Sequence, residues 1–338
     1  MRERKCGWIT SPPMVCAHGG DSTNAFPNSM EAFRMALDAR VDCMEVDVSR
    51  SSDGVLFALH DSCSNPGGSP IKHTVIAMSP DGPGSKDDKR VKAFAHITIH
   101  IILRSRPPVI QRYISWLRSK GRETCILQDG LLICRDLQKM SGNSTAKVGH
   151  WSTDEIKALR FQLSKRVQNE EVPKAEDALA VISRSVRQVI LDVKVGPPSF
   201  DKGLAEDVLS LLKRTNCKNC LVWAKTDNLA RDIIKLSEDV VVGYIVMVDK
   251  STGRKTEFVR LEGAKVAGVY HPLIHEKVVK VMRRHGKKVF AWTVDDNKSM
   301  EKMLHEHVDA IVTSNPSLLQ QLMHETRTEC LEDGFALP

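Results

Sequence analysis

Short apolar runs alternate with amphipathic stretches along most of this chain, the pattern of a parallel α/β fold whose strands are buried on both faces. The runs predict eight strands: Met14 to Ala17, Cys43 to Val48, Val189 to Lys194, Cys220 to Ala224, Val241 to Val246, Val266 to Tyr270, Lys288 to Trp292 and Asp309 to Thr313. Between them a helical period predicts helices at Ser29 to Ala39, Lys202 to Arg214, Thr226 to Leu236, Thr256 to Glu262, His275 to Arg284, Lys298 to Glu306 and Pro316 to Met323. Two more, Ser152 to Leu159 and Ala175 to Ser183, precede Val189. Eight βα steps in one chain favour a closed TIM (β/α)8 barrel over an open doubly wound sheet. A ninth apolar run, Val55 to His60, is surplus to the eight. The link from Val48 to Val55 is far too short for a parallel crossover, so the Asp53-Gly54 turn makes it a β-hairpin excursion after strand 2. In a barrel that hairpin projects above the C-terminal rim, where active sites of this architecture lie.

Residues 62 to 134 break the rhythm. Asn65 to Pro70 and Ser79 to Ser85 are rich in turn formers and poor in core residues, and no βα unit is readable in the segment. At 73 residues it exceeds an ordinary loop, so it is either an inserted subdomain or a poorly ordered segment. Its different composition and lack of periodicity favour sequence derived from an intron or a misread gene boundary. The expected domain plan is an N-terminal extension over 1–13, a barrel built from 14–61 and 135–325, the insertion over 62–134, and a C-terminal tail over 326–338.

The net charge of +7 and pI near 8.9 raise the question of an anionic partner. The insertion, however, holds eleven Lys or Arg against five acids, so six of the seven net charges sit there and the rest of the chain is near neutral. With no stacking aromatic pattern or recognised module, a nucleic-acid partner is excluded. No membrane segment is readable: Ile97 to Leu103 is too short to span a bilayer, and Met1 to Pro13 lacks the apolar stretch of a signal peptide. A cytoplasmic location is the default expectation. The nine cysteines are scattered, mostly within apolar runs as small core residues; Cys217 and Cys220 have CxxC spacing but no second pair, and read as a loop entering a strand.

The chemistry gathers at strand ends. Glu45 and Asp47 alternate with apolar residues, so both carboxylates leave one face of the second strand about 6 to 7 Å apart, which is metal-ligand spacing. If the hairpin turn centres on Ser52 and Asp53, its register brings His60 opposite Glu45. His18 follows the first strand, and Gly19 and Gly20 after it leave backbone N–H groups able to approach an anion. Asp192 and Lys194 share a face at the end of the third strand. In a barrel these residues meet at one rim: three carboxylates, two histidines and a lysine.

Several short motifs now align in order: His18-Gly19-Gly20, Phe26-Pro27-Asn28-Ser29, Glu45 to Val48, Ser51 to Gly54 with His60-Asp61, Asp192 to Lys194, Trp292-Thr293-Val294, and Thr313 to Pro316. Together they resemble the glycerophosphodiester phosphodiesterase (GDPD) family over nearly the whole chain outside 62–134. The family has His-Arg-Gly where this chain has His18-Gly19-Gly20, as in a plant-type variant, and Glu where it has Asp192. The resemblance implies metal-dependent hydrolysis of a small-molecule glycerophosphodiester to glycerol 3-phosphate and an alcohol. It implies that Glu45, Asp47 and Asp192 hold one divalent cation, Mg2+ or Ca2+, which all-oxygen ligation suits on chemical grounds as well. It further implies His18 and His60 as general acid and base, Lys194 as a phosphate contact, and Trp292 as the wall of a glycerol pocket. The competing expectation is a barrel that binds phosphodiesters without cleaving them.

Overall fold

In the computed structural model, the structure describes residues 5–60, 127–128, 131–132, 136–141, 146–161, 170–248 and 253–335. The chain divides into two compact units, Met1–Asp61 with Lys147–Pro338, and Ser62–Ala146. In the second unit, Leu127–Gln128 pairs antiparallel with Leu131–Leu132, and Asp136–Ser141 is a helix. The expected insertion over 62–134 otherwise lies outside the described residues.

The first unit is an eight-stranded parallel barrel. Its staves are β1 (Met14–His18), β2 (Cys43–Arg50), β3 (Gln188–Val193), β4 (Cys220–Ala224), β5 (Val241–Val246), β6 (Val266–Tyr270), β7 (Lys288–Trp292) and β8 (Ala310–Thr313). Each pairs in parallel with the next, and β1 pairs with both β2 and β8, which closes the ring. All eight expected strands are present.

Period-2 alternation divides the core. Cys16, Cys43, Ile190, Leu221, Trp223, Ile245, Val266, Phe290, Ala310 and Val312 pack together inside the barrel. The alternate residues, such as Val46, Val48, Leu191 and Val222, pack outward in a second cluster with helical residues such as Phe33 and Leu179. Trp223 fits inside the ring because two neighbouring inward positions are glycines. A Cβ on Gly268 would stand 2.8 Å from the indole Cζ2, and one on Gly243 2.8 Å from its Nε1.

The helices start where side chains satisfy their first amides: Ser29 before α1 (Met30–Asp38), Thr226 before Asp227–Leu236, and Asp296 before Asn297–His305. Among the described residues, no helix is long and apolar enough to cross a membrane. The expected helix over Thr256 to Glu262 does not form. Thr256 instead bonds back to Met247 through both its amide and its hydroxyl, while Arg260 reaches Asp227 and the Ile245 carbonyl. These distant bonds hold the segment irregular. The last helix, expected to end at Met323, runs Pro316–Glu332, and Cys330 on it is disulfide-bonded to Cys6. Two further bridges, Cys16–Cys43 and Cys217–Cys220, replace the expected free core cysteines and plain loop. Cys16 and Cys43 are register partners on β1 and β2, which is why they meet.

The hairpin exists, with a shorter return strand, Leu56–Ala58, than the run suggested. Its register corrects the expected one. Val48 pairs with Ala58 and Arg50 with Leu56, and the Leu59 amide donates to the Asp47 carbonyl at 3.0 Å. The turn centres on Asp53, because Gly54 in the left-handed region (φ 87°) closes a three-residue loop rather than a two-residue one. Pairing therefore shifts by one residue, and His60 does not lie opposite Glu45. Asp53 anchors the turn by accepting bonds from Ser51 Oγ at 2.6 Å, Thr153 N at 3.1 Å and Thr153 Oγ1 at 3.0 Å.

Candidate active site

Parallel partners in register send their side chains the same way, and three such pairs build the site. His18 stands beside Glu45, Asp47 beside Asp192, and Asp192 beside Trp223. At the C-terminal rim this brings Glu45, Asp47 and Asp192 together with carboxylate oxygens within 4.8 Å of one another. All three are buried, at 1%, 2% and 6% exposure, so they are no solvated edge.

Three like charges in a dry site need compensation. Lys194, itself buried, supplies part of it: its ammonium pairs with Asp47 Oδ1 and with Asp192 Oδ2 at 2.5 Å. Burial pushes the Lys194 ammonium toward losing its proton, but Asp192, Asp47 and Glu45 outweigh that and hold it charged, above the ordinary lysine range. Burial likewise raises Asp47, yet the charges of Lys194, His60 and His18 hold it well below the usual carboxylate range. Asp192 is also lowered: Lys194 and Lys225 overcome its burial. Glu45 goes the other way. Burial, then Asp47 and Asp192, push it well above the usual range against the pull of Lys194.

One oxygen of Glu45 accepts the Gly19 amide at 2.9 Å, while its Oε1 and the Oδ1 of Asp192 are buried with no hydrogen-bond partner. Buried acceptors left without donors are costly, and hard oxygen donors grouped at this spacing fit a divalent cation such as Mg2+ or Ca2+.

The two glycines are held in different ways. The Gly19 amide is not open to an anion: it is shared between the Glu45 carbonyl at 3.1 Å and its carboxylate. Gly20, at φ 86°, leaves room for α1, since a Cβ there would stand 2.6 Å from the Ala32 carbonyl oxygen. His18 and His60 are both half-buried, and both act electrostatically on Asp47, so they belong to the same cluster. Trp292, at the end of β7, has its ring centre 5.7 Å from that of Tyr270.

Two residues were missed as site members. Asn28 donates Nδ2 to Asp47 Oδ2 at 2.8 Å and accepts the Asp47 amide at 3.1 Å; its signal was an asparagine at a helix entry, a residue tolerant of the positive φ of 61° it adopts. Lys225 pairs with Asp192 Oδ2 at 2.8 Å and stands 5.8 Å from the centre of the Trp292 ring. Its signal was alternation, because Leu221 and Trp223 face inward and Lys225 is next.

Comparison with known proteins places the chain in a family. The chain is 45% identical over 336 residues to glycerophosphodiester phosphodiesterase GDPD4 of Arabidopsis thaliana, covering 99% of this chain and 80% of the relative. It is 20% identical to a glycerophosphodiester phosphodiesterase of Caldanaerobacter subterraneus, over 92% and 98% of the two chains. Among solved structures, a glycerophosphodiester phosphodiesterase from Parabacteroides distasonis superposes with TM-score 0.60 at 17% identity, over 93% of this chain and 97% of that one. An Oleispira antarctica phosphodiesterase solved with the product sn-glycerol-3-phosphate gives 0.59 at 17% identity, over 92% and 97%. These structures share the fold. The profile of the glycerophosphoryl diester phosphodiesterase family matches residues 18–318, from the first rim histidine into the last helix, and the chain belongs to that family.

Proposed function

We propose that this protein hydrolyses glycerophosphodiesters to glycerol 3-phosphate and an alcohol. The observation that carries this reading is the buried trio Glu45, Asp47 and Asp192, with acceptor oxygens lacking donors, beside two histidines at the barrel rim. These carboxylates would hold one divalent cation, which supplies polarisation of the phosphoryl oxygens and neutralises charge in the transition state.

The remaining chemistry belongs to the chain. One of His18 and His60 takes a proton from the attacking water as its oxygen bonds to phosphorus; the other returns a proton to the alcohol oxygen as its P–O bond breaks. Lys194, charged and already at the carboxylates, would hold a phosphoryl oxygen. Trp292 would flank the glycerol. Asn28 keeps Asp47 aimed by bonding both its side chain and its amide. Gly19 does the same for Glu45.

The test is release of glycerol 3-phosphate from glycerophosphocholine. We expect turnover by the wild type and a loss of about 100- to 10,000-fold in kcat for His18→Ala and for His60→Ala. A folded chain that binds glycerol 3-phosphate and cation yet releases no product from any glycerophosphodiester would contradict the reading and leave a non-cleaving binder.

A further inference from the structure

Two lysines reach the carboxylates, and they are not equivalent. Lys194 is 8% exposed and its ammonium is engaged by two carboxylates, Asp47 and Asp192. Lys225 comes from the residue after β4, its side chain is 32% exposed, and among the described residues its ammonium pairs with Asp192 alone. It lies between the carboxylate cluster and the indole of Trp292, 2.8 Å from the first and 5.8 Å from the centre of the second.

An incoming phosphodiester brings an anion to a rim where buried acids already outnumber buried cations. Beside Lys194, whose charge the buried carboxylates already share, it needs a second donor whose charge is not consumed by the site itself. Lys194 balances carboxylates the fold has buried; withdrawing it from them leaves adjacent unpaired charges. Lys225 is tethered at one point and open to solvent over a third of its side chain, so it can turn to a new acceptor at small cost. The indole face beside it favours a cation in that position without fixing it by a hydrogen bond.

We propose that Lys225 is a direct contact to the substrate's phosphate on its glycerol side, exchanging Asp192 Oδ2 for a phosphoryl oxygen when the diester binds. This rests on the phosphodiesterase reading and adds to it a substrate-binding residue. Leu221 and Trp223 fill the interior, and Lys225 is the next position on β4's inward row, the first to reach the rim.

The test pairs binding with turnover. Wild type, Lys225→Met and Lys225→Arg are titrated with sn-glycerol 3-phosphate, and separately with Mg2+ and Ca2+ in the absence of phosphate; KM and kcat are then measured with glycerophosphocholine. Losing one charge-assisted hydrogen bond predicts glycerol 3-phosphate affinity weaker by about 10- to 100-fold in Lys225→Met, with KM raised by a similar factor. Cation affinity stays within about twofold of wild type, and Lys225→Arg recovers most of the loss because it keeps the charge. Unchanged glycerol 3-phosphate affinity in Lys225→Met overturns the proposal. So does a loss that only follows a parallel loss of cation affinity, which makes Lys225 a positioning residue for Asp192. A wild type that neither binds glycerol 3-phosphate nor turns over the diester contradicts the phosphodiesterase reading itself, and this inference falls with it.

Discussion

Asn28 and Asp47 hold each other at two points, the Asn28 amide group donating to the Asp47 carboxylate at 2.8 Å and its carbonyl accepting the Asp47 backbone amide at 3.1 Å. Both residues are buried, so neither bond has water as a ready substitute. The pair ties the entry of α1 to the middle of the carboxylate cluster, and Asn28 pays for it with a left-handed backbone.

Replacing Asn28 with alanine should therefore cost stability and geometry together. We expect a loss of about 1–3 kcal/mol in urea unfolding and a fall in kcat/KM with KM changed little, since Asp47 loses its aim. An Asn28→Ala enzyme with wild-type kcat would show that Asp47 needs no such guide.

Lys194 stands in for positive charge that a cation would also supply. In Lys194→Met, Asp47 and Asp192 lose a buried partner, and about 3–5 kcal/mol of stability should go with it when divalent cations are removed. Adding Mg2+ or Ca2+ should then raise Tm more in the variant than in wild type. Equal cation-induced shifts in both would argue that the cation and Lys194 do not share the same carboxylates.

The interior of the ring depends on two glycines that accept Trp223. Gly243→Ala or Gly268→Ala should overpack the barrel and cost about 1–3 kcal/mol, and Trp223→Leu in the same chain should recover part of it. Additive losses in the double variant would mean that the glycines serve another purpose.

Much of this was legible in the sequence, for identifiable reasons. Fully buried parallel strands write themselves as apolar runs, and alternation alone placed Glu45 with Asp47 and Asp192 with Lys194. The same alternation applied to Leu221 and Trp223 points to Lys225, yet a lone lysine after a strand carries no motif. What failed was non-local or depended on one backbone angle. The hairpin register turned on whether Gly54 closes a two- or three-residue loop. Thr256 to Glu262 has helical spacing, but bonds from Arg260 to Asp227 and Ile245 decide its shape. The Cys6–Cys330 bridge joins residues 324 apart, and only the closed barrel brings them together. The Gly19 amide looked available because its acceptor, Glu45, lies 26 residues away on another strand.

In the proposed mechanism Glu45, Asp47 and Asp192 hold the cation on which hydrolysis depends. The most direct measurement is Mg2+ and Ca2+ binding by calorimetry alongside glycerol 3-phosphate release, in chelator-treated wild type and in Glu45→Gln. Chelated wild type should be inactive and regain turnover in step with cation binding, and Glu45→Gln should lose both affinity and turnover while staying folded. Full turnover in the presence of chelator, or a Glu45→Gln chain that binds cation as tightly as wild type, would contradict it.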